Sequence, residues 1–268
     1  MKNDHEPTVN ELFDLSAKTA LVTGGTGWLG SAFCRALAEA GAEVVISSSR
    51  SAGVAQAAAD KLASPSGARH HGVELDHMDE DSIHQGFHAS IEAAGQLDIL
   101  VNNGLDAIGN DLTDVTHEAF ARHQMNNAGY FVLARLTRNH AVQRGTGASI
   151  INIGSMYGLV ASYPDAYEGI CMASPVAYHA LKGGTIHMTR HLAAYYAKDQ
   201  VRVNCLNPGP FPAEAAPQEM VERLKPKLPM ERMGLPHELK GSLLLLASDA
   251  GSFITGQSIN VDGGWTAW

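Results

Sequence analysis

The sequence predicts a single α/β domain built on a doubly wound parallel sheet. Three features point to it. Short apolar runs alternate with helical patterns along nearly the whole chain. The runs are apolar throughout rather than at every second residue, as strands covered on both faces require. The first run ends in a cluster of glycines that opens directly into a helix. At 268 residues, one core of this kind is an ordinary size, and no repeat or low-complexity linker divides it.

The elements follow in order. Residues 1–16 are polar and acidic and read as an N-terminal extension, so the domain proper is expected over 17–268. Lys18–Thr23 is the first strand. It ends in Gly24-Gly25-Thr26-Gly27-Trp28-Leu29-Gly30, and a helical pattern runs from Ser31 to Ala40, stopped by Gly41. The second strand, Glu43–Ser47, follows at once, which makes a right-handed βαβ unit. A helix over about Ser51–Leu62, a strand near His70–Leu75, a helix near Glu80–Ala94 and a strand over Leu97–Asn102 continue the alternation. A long helix is expected over His117–Arg144, a strand over Ser149–Ile153, a helix from Pro175 to Lys198 and a strand over Val201–Leu206. The proline-punctuated segment near 211–229 reads as a mobile loop or short helices. A helix near Pro236–Ser248 and the strand Ser258–Val261 close the domain.

The net charge of −9 argues against a nucleic-acid binder, which needs a basic face. Cys34, Cys171 and Cys205 are odd in number and scattered, as reduced thiols of a cytoplasmic protein are. The start of the chain lacks the basic and apolar segments of a signal peptide. Its longest aliphatic run, Leu243–Ala247, is far too short to span a bilayer. The histidines are scattered and form no ligand spacing, so no metal site is expected.

Several positions have the chemistry of a dinucleotide enzyme. Gly24, Gly27 and Gly30, with Thr26, Trp28 and Leu29 between them, would bring a pyrophosphate against backbone at a helix N-terminus. An acidic residue at the end of the second strand would suit the ribose 2′-hydroxyl of NAD. This chain has Ser47-Ser48-Ser49-Arg50 instead, and hydroxyls with a guanidinium suit a 2′-phosphate. NADP is therefore the expected cofactor, with NAD as the alternative. Asp76 closes the third strand, where it either accepts from an adenine amino group or caps a helix. Asn102 closes the fourth. Asn126 lies inside a helix, where asparagine has poor propensity. Tyr178 and Lys182 are four apart, so a helix sets them one turn apart on one face. A nearby ammonium favours a phenolate, and a phenol so tuned can exchange a proton at neutral pH.

The glycine turn, Asn102-Asn103-Gly104, Asn126, a strand leading to Ser155, Y-x-x-x-K and Asn207-Pro208-Gly209-Pro210 occur in this order. Together they resemble the short-chain dehydrogenase/reductase family from about residue 15 to the C-terminus, as does the closing Val261 to Trp265. The resemblance implies a Rossmann-type fold. It implies Tyr178 as general acid/base, Lys182 lowering its pKa and holding the nicotinamide ribose, and Ser155 binding the reacting oxygen. It implies that Asn126 holds a water connecting Lys182 to solvent, that Asn102 sits near the cofactor, and that Pro208, Gly209 and Phe211 border the nicotinamide. Three departures stand out. Trp28 occupies a position that the shorter-chain branch gives to glycine, and the spacing also resembles the sugar-nucleotide branch. N-N-G-L stands where N-N-A-G is usual. The gap from Ser155 to Tyr178 is longer than usual.

The extra segment, about 162–174, is expected over the substrate mouth. Tyr157, Tyr163, Glu168 and Met172 join Ser155 as candidate substrate contacts, and phenols and carboxylates there favour a polar substrate; packing on a neighbouring subunit is the alternative. The expected activity is hydride transfer between the nicotinamide and a secondary alcohol or ketone of a sugar, sugar acid or polyol. A 3-oxoacyl or cyclic-alcohol reductase is the first alternative, and a non-redox or sugar-nucleotide-modifying protein on the same fold the second. No nucleic-acid or membrane partner is expected. A homodimer or homotetramer is, with Trp265 and Trp268 buried.

Overall fold

A computed structural model of the chain describes residues 6–110, 112–172 and 174–267. Seven parallel strands form one sheet: β1 (Thr19–Val22), β2 (Glu43–Ser48), β3 (His71–Glu74), β4 (Ile99–Asn102), β5 (Ala148–Ile153), β6 (Val201–Pro208) and β7 (Ser258–Val261). Their order is β3-β2-β1-β4-β5-β6-β7. The chain therefore winds outward in both directions from β1 and β4, and that switch point opens a crevice at the carboxyl ends of the strands.

The helices are α1 (Val9–Phe13), α2 (Trp28–Glu39), α3 (Ala52–Ala59), α4 (Glu80–Ala94), α5 (His117–Arg144), α6 (Val176–Tyr196), α7 (Gln218–Leu224) and α8 (Lys240–Ala247). The strands are apolar throughout because each face has its own core. Val22, Val44, Ile46, Val101 and Ile151 pack on Phe33 and Leu37 of α2 and Leu243 and Leu246 of α8. Their neighbours Leu21, Val45, Leu100 and Ile150 point the other way, onto Phe87 of α4, Leu133 of α5 and Leu192 of α6.

The differences from the sequence reading are local. The extension contains α1, which is too short to show a period. It starts on a capping box in which Thr8 Oγ1 accepts from Glu11 N and Thr8 N donates to Glu11 Oε2. Leu15 is buried in the core, and its N–H donates to Ala40 O, so the domain begins before residue 17. The segment 211–229 contains α7, whose Val221 and Leu224 are buried. Pro236–Leu239 is a 3₁₀ turn, and α8 begins only at Lys240. Trp265 is buried within the chain itself, while Trp268 lies outside the described residues. Among the described residues no helix is long and apolar enough to cross a membrane.

Candidate active site

A cleft of about 520 Å³ opens at the carboxyl ends of the central strands. Its walls include the glycine turn, Ser155, Tyr178, Lys182, Pro208, Gly209 and Phe211. A larger cavity, about 770 Å³, opens at the opposite end of the sheet and contains none of the predicted site residues.

The glycine turn is clamped to the end of β4. Thr23 Oγ1 accepts from the N–H groups of Asn103 and Gly104, both at 2.9 Å. Asn103 Nδ2 donates to Thr23 O at 2.9 Å and Gly24 O at 3.1 Å. A Cβ on Gly24 would stand 2.8 Å from Gly104 Cα, and one on Gly30 would stand 2.3 Å from Gly24 O, so the turn closes only around glycine. Gly27 caps α2 without a side-chain acceptor. The first N–H groups of a twelve-residue helix are left to whatever anion enters, together with its positive dipole end. The residues present thus fit a pyrophosphate. Trp28 stands on the rim, 44% exposed, and its Nε1 donates to Phe211 O at 3.2 Å. The indole takes the place of the usual glycine by bridging the mouth from the glycine turn to the loop after β6.

Of the Asn102-Asn103-Gly104 turn, Asn103 and Gly104 line the cleft and Asn102 does not. Asn102 is fully buried, and its Nδ2 donates to Asn152 Oδ1 at 2.8 Å and Tyr130 O at 3.2 Å. It ties β4 to β5 and α5 and does not line the cleft.

At the end of β2, Ser48 is buried and its Oγ accepts from Arg50 N at 3.2 Å. Ser49 and Arg50 are exposed. Arg50 Nη2 reaches Thr26 Oγ1 at 3.4 Å, and a hollow of about 290 Å³ there is also lined by Arg35 and Lys61. Asp76 Oδ1 accepts from Met78 N at 2.9 Å, whereas α4 is capped by Asp79. Asp76 therefore holds a turn and caps no helix.

On α6, Tyr178 and Lys182 both face the cleft beside Ser155, which follows β5. Lys182 is buried, and its Nζ donates to Ile153 O at 2.7 Å. Nζ lies 5.6 Å from the centre of the Tyr178 ring and 5.8 Å from that of Tyr130. Burial pushes the ammonium down from 10.5 to about 8. Burial also raises the Tyr178 phenol, and the Ser155 hydroxyl offsets part of the rise. The Tyr178 phenol is thus raised by burial, where a lowering by Lys182 is expected. The lysine bonds to a carbonyl rather than to the phenol, and desolvation outweighs what remains.

Asn126 is also buried, with its amide fully occupied. Oδ1 accepts from His77 Nε2 at 2.7 Å and Asp106 N at 2.8 Å. Nδ2 donates to His123 O at 2.8 Å and Asp106 O at 3.2 Å. None of these side-chain hydrogen bonds goes to Lys182.

Of the candidate substrate contacts, only Ser155 lines the cleft. Tyr157 stacks on His179 at 4.7 Å between ring centres, and its hydroxyl is 2.7 Å from that of Tyr167. Tyr163 lies edge-on to Trp265 at 5.1 Å and under Lys227 Nζ at 4.8 Å. These rings join Met156, Leu224 and Leu228 in a third apolar cluster. Glu168 and Met172 are exposed. The carbonyl of Glu168 accepts from Arg223 Nη1 at 2.8 Å, and Lys227 Nζ pairs with Asp165 at 2.6 Å. The extra segment is thus tied to the segment around α7 by the Asp165 carboxylate and by backbone carbonyls. Among the described residues no three His, Cys, Asp or Glu side chains are grouped to hold a metal ion.

Residues 27–266 match the family model described as enoyl-(acyl carrier protein) reductase. A galactitol 2-dehydrogenase (L-tagatose-forming) of Cereibacter sphaeroides is 35% identical over 264 residues, covering 96% of this chain and 98% of that one. A 3-oxoacyl-[acyl-carrier-protein] reductase of Aquifex aeolicus is 30% identical over 256 residues, covering 93% and 98%. A solved gluconate 5-dehydrogenase from Burkholderia cenocepacia, in complex with NADP and tartrate, superposes with a TM-score of 0.86 at 28% identity, covering 97% and 100%.

Proposed function

This chain belongs to the short-chain dehydrogenase/reductase family and is an NAD(P)-dependent oxidoreductase acting on CH–OH groups, and from that premise we propose that it interconverts a secondary alcohol and ketone of a sugar, sugar acid or polyol, with NADP(H) preferred. The observation that carries the mechanism is the convergence of Ser155, Tyr178 and Lys182 with the glycine turn on one cleft. The galactitol and gluconate dehydrogenases support the substrate class. Arg50 beside Thr26, with Arg35 and Lys61 around the same hollow, supports the 2′-phosphate.

The N–H groups at the start of α2 would hold the pyrophosphate, and Arg50 would meet the adenosine end. Two of the three N–H donors of Lys182 have no protein acceptor among the described residues and are free for the ribose. The bound nicotinamide supplies the hydride donor or acceptor. Tyr178, kept protonated by burial, is set as the acid for reduction: its O–H breaks as the substrate O–H forms. Ser155 Oγ donates to the same substrate oxygen and stabilises the charge that develops there. In oxidation the proton moves back to a Tyr178 phenolate, so that direction speeds up as pH rises. The exposed Met125 and Phe131 of α5 and Tyr195 of α6 support assembly as a homodimer or homotetramer.

Cofactor turnover, followed by near-ultraviolet absorbance, tests this reading. The panel holds sugars, sugar acids, polyols and ketones with NAD and NADP in both redox states. Turnover is expected to be highest with NADP and a polyhydroxy substrate and to be lost in Tyr178→Phe. A Tyr178→Phe variant with unchanged turnover would refute the mechanism, and equal or higher kcat/KM with NAD would refute the cofactor preference. A second reading, reduction of a 3-oxoacyl thioester, is favoured by the Aquifex relative; turnover on acyl thioesters alone would establish it.

A further inference from the structure

We propose that His77 is a positioning residue for Asn126 and, through it and Tyr130, for the proton transfer that runs through Lys182 and Tyr178. The inference rests on the reading that those residues act together in catalysis.

His77 follows Asp76 on the turn between β3 and α4, and it is 8% exposed. Its Nε2 lies 2.7 Å from Asn126 Oδ1. An amide oxygen only accepts, so Nε2 carries the hydrogen. With Asp106 N–H as the second donor, both lone pairs of Oδ1 are used. The amide nitrogen is committed to the carbonyls of His123 and Asp106. Asn126 cannot swing without leaving buried groups unpaired, which costs more than a net hydrogen bond contributes.

The imidazole also stacks on Tyr130, with ring centres 5.7 Å apart and planes at 21°. Tyr130 donates its hydroxyl to Gly104 O, and its ring lies 5.8 Å from Lys182 Nζ. One histidine thus touches both the residue implied to link Lys182 to solvent and the ring beside Lys182. Burial keeps His77 below its ordinary titration range, and the Lys182 ammonium pushes the same way, so no second cation forms beside the lysine.

Two glycines make room for His77, Gly104 for its ring and Gly129 for its backbone. A Cβ on Gly104 would stand 3.0 Å from His77 Nδ1, and one on Gly129 would stand 1.9 Å from His77 O. Gly104 is the first of the two residues, with Leu105, at which this chain departs from N-N-A-G. The departure has a steric partner in His77, 27 positions earlier. An aliphatic side chain would fill the same space but leave Asn126 Oδ1 one donor short.

The test compares His77→Leu with His77→Gln, whose amide nitrogen can replace Nε2 as donor. Steady-state kinetics are measured with the cofactor and substrate that the panel identifies, in water and in deuterium oxide. His77→Leu is expected to lower kcat about tenfold, the scale of one well-placed hydrogen bond. It should leave both KM values within about twofold and raise the solvent isotope effect on kcat, while His77→Gln recovers most of the loss. Equal losses in both variants, or an unchanged kcat and isotope effect in His77→Leu, would overturn the proposal. If His77→Leu does not fold, Gly104→Ala pushes on the same ring and must show the same kcat and isotope signature, or the proposal fails. Tyr178→Phe separates the levels: an active Tyr178→Phe sinks the underlying reading, whereas an inactive one with a normal His77→Leu sinks only this inference.

Discussion

Lys182 carries its charge into a buried site, and removing that charge should expose a trade between stability and catalysis. The ammonium is buried with one carbonyl partner and is pushed down from 10.5 to about 8. At pH 7 both the folded and unfolded chains hold the proton, so the full cost of burying the charge is present. That cost is about 3 kcal/mol. Between pH 8 and 10.5 the native chain has released its proton while the unfolded chain has not. The unfolded state then binds more protons, and wild-type stability rises with pH. A Lys182→Met variant keeps the apolar stem and has no such rise.

Part of its gain at pH 7 is offset because Ile153 O loses its donor, at about 1–3 kcal/mol. That offset does not change with pH. The variant's advantage from charge removal should therefore shrink from about 3 kcal/mol at pH 7 to about 2 kcal/mol at pH 9. Urea unfolding of the cofactor-free protein, followed by the emission of buried Trp265, measures it at pH 7, 8 and 9. A difference between the two proteins that is flat or grows with pH would refute the reasoning. The variant should also lose turnover at every pH.

Two further predictions concern the cofactor end. Arg50→Ala should lower kcat/KM for NADP about tenfold or more, the scale of a charge-assisted hydrogen bond, and leave NAD within about twofold; equal losses with both would remove Arg50 from 2′-phosphate recognition. Gly30→Ala should abolish cofactor binding by calorimetry and cost about 1–3 kcal/mol in stability, because its methyl would overlap Gly24 O; normal binding would show that the turn relaxes around it.

Alternation of apolar runs with helical patterns made the layers legible, because strands buried on both faces have only one solution in composition. The glycine turn, Ser155 and the Tyr178–Lys182 pair were legible because each is local: a turn needs particular backbone angles, and a helix brings residues four apart onto one face. Which asparagine of the N-N-G turn faces the cleft is not local. Neighbours at a strand end point to opposite sides, and only the register of β4 against β1 and β5 decides that Asn102 goes inward and Asn103 toward the glycine turn. The extra segment near 162–174 was legible as an insertion but not in its destination, since its polar groups could meet a ligand or the chain; Arg223 of α7 takes two of its backbone carbonyls and Lys227, in the turn after α7, takes the Asp165 carboxylate.

Residue order alone thus marked the strand–helix layering, the glycine turn and the Tyr178–Lys182 pair on one helix face, each a matter of local geometry or composition. The tertiary structure decided that Tyr178 is raised rather than lowered, because desolvation depends on everything packed around a group. It also decided that His77, Gly104 and Asn126 fit one another. These are contacts between positions far apart in the chain, and no period or spacing encodes them; only the closing of β1, β4 and α5 around the cleft brings them together.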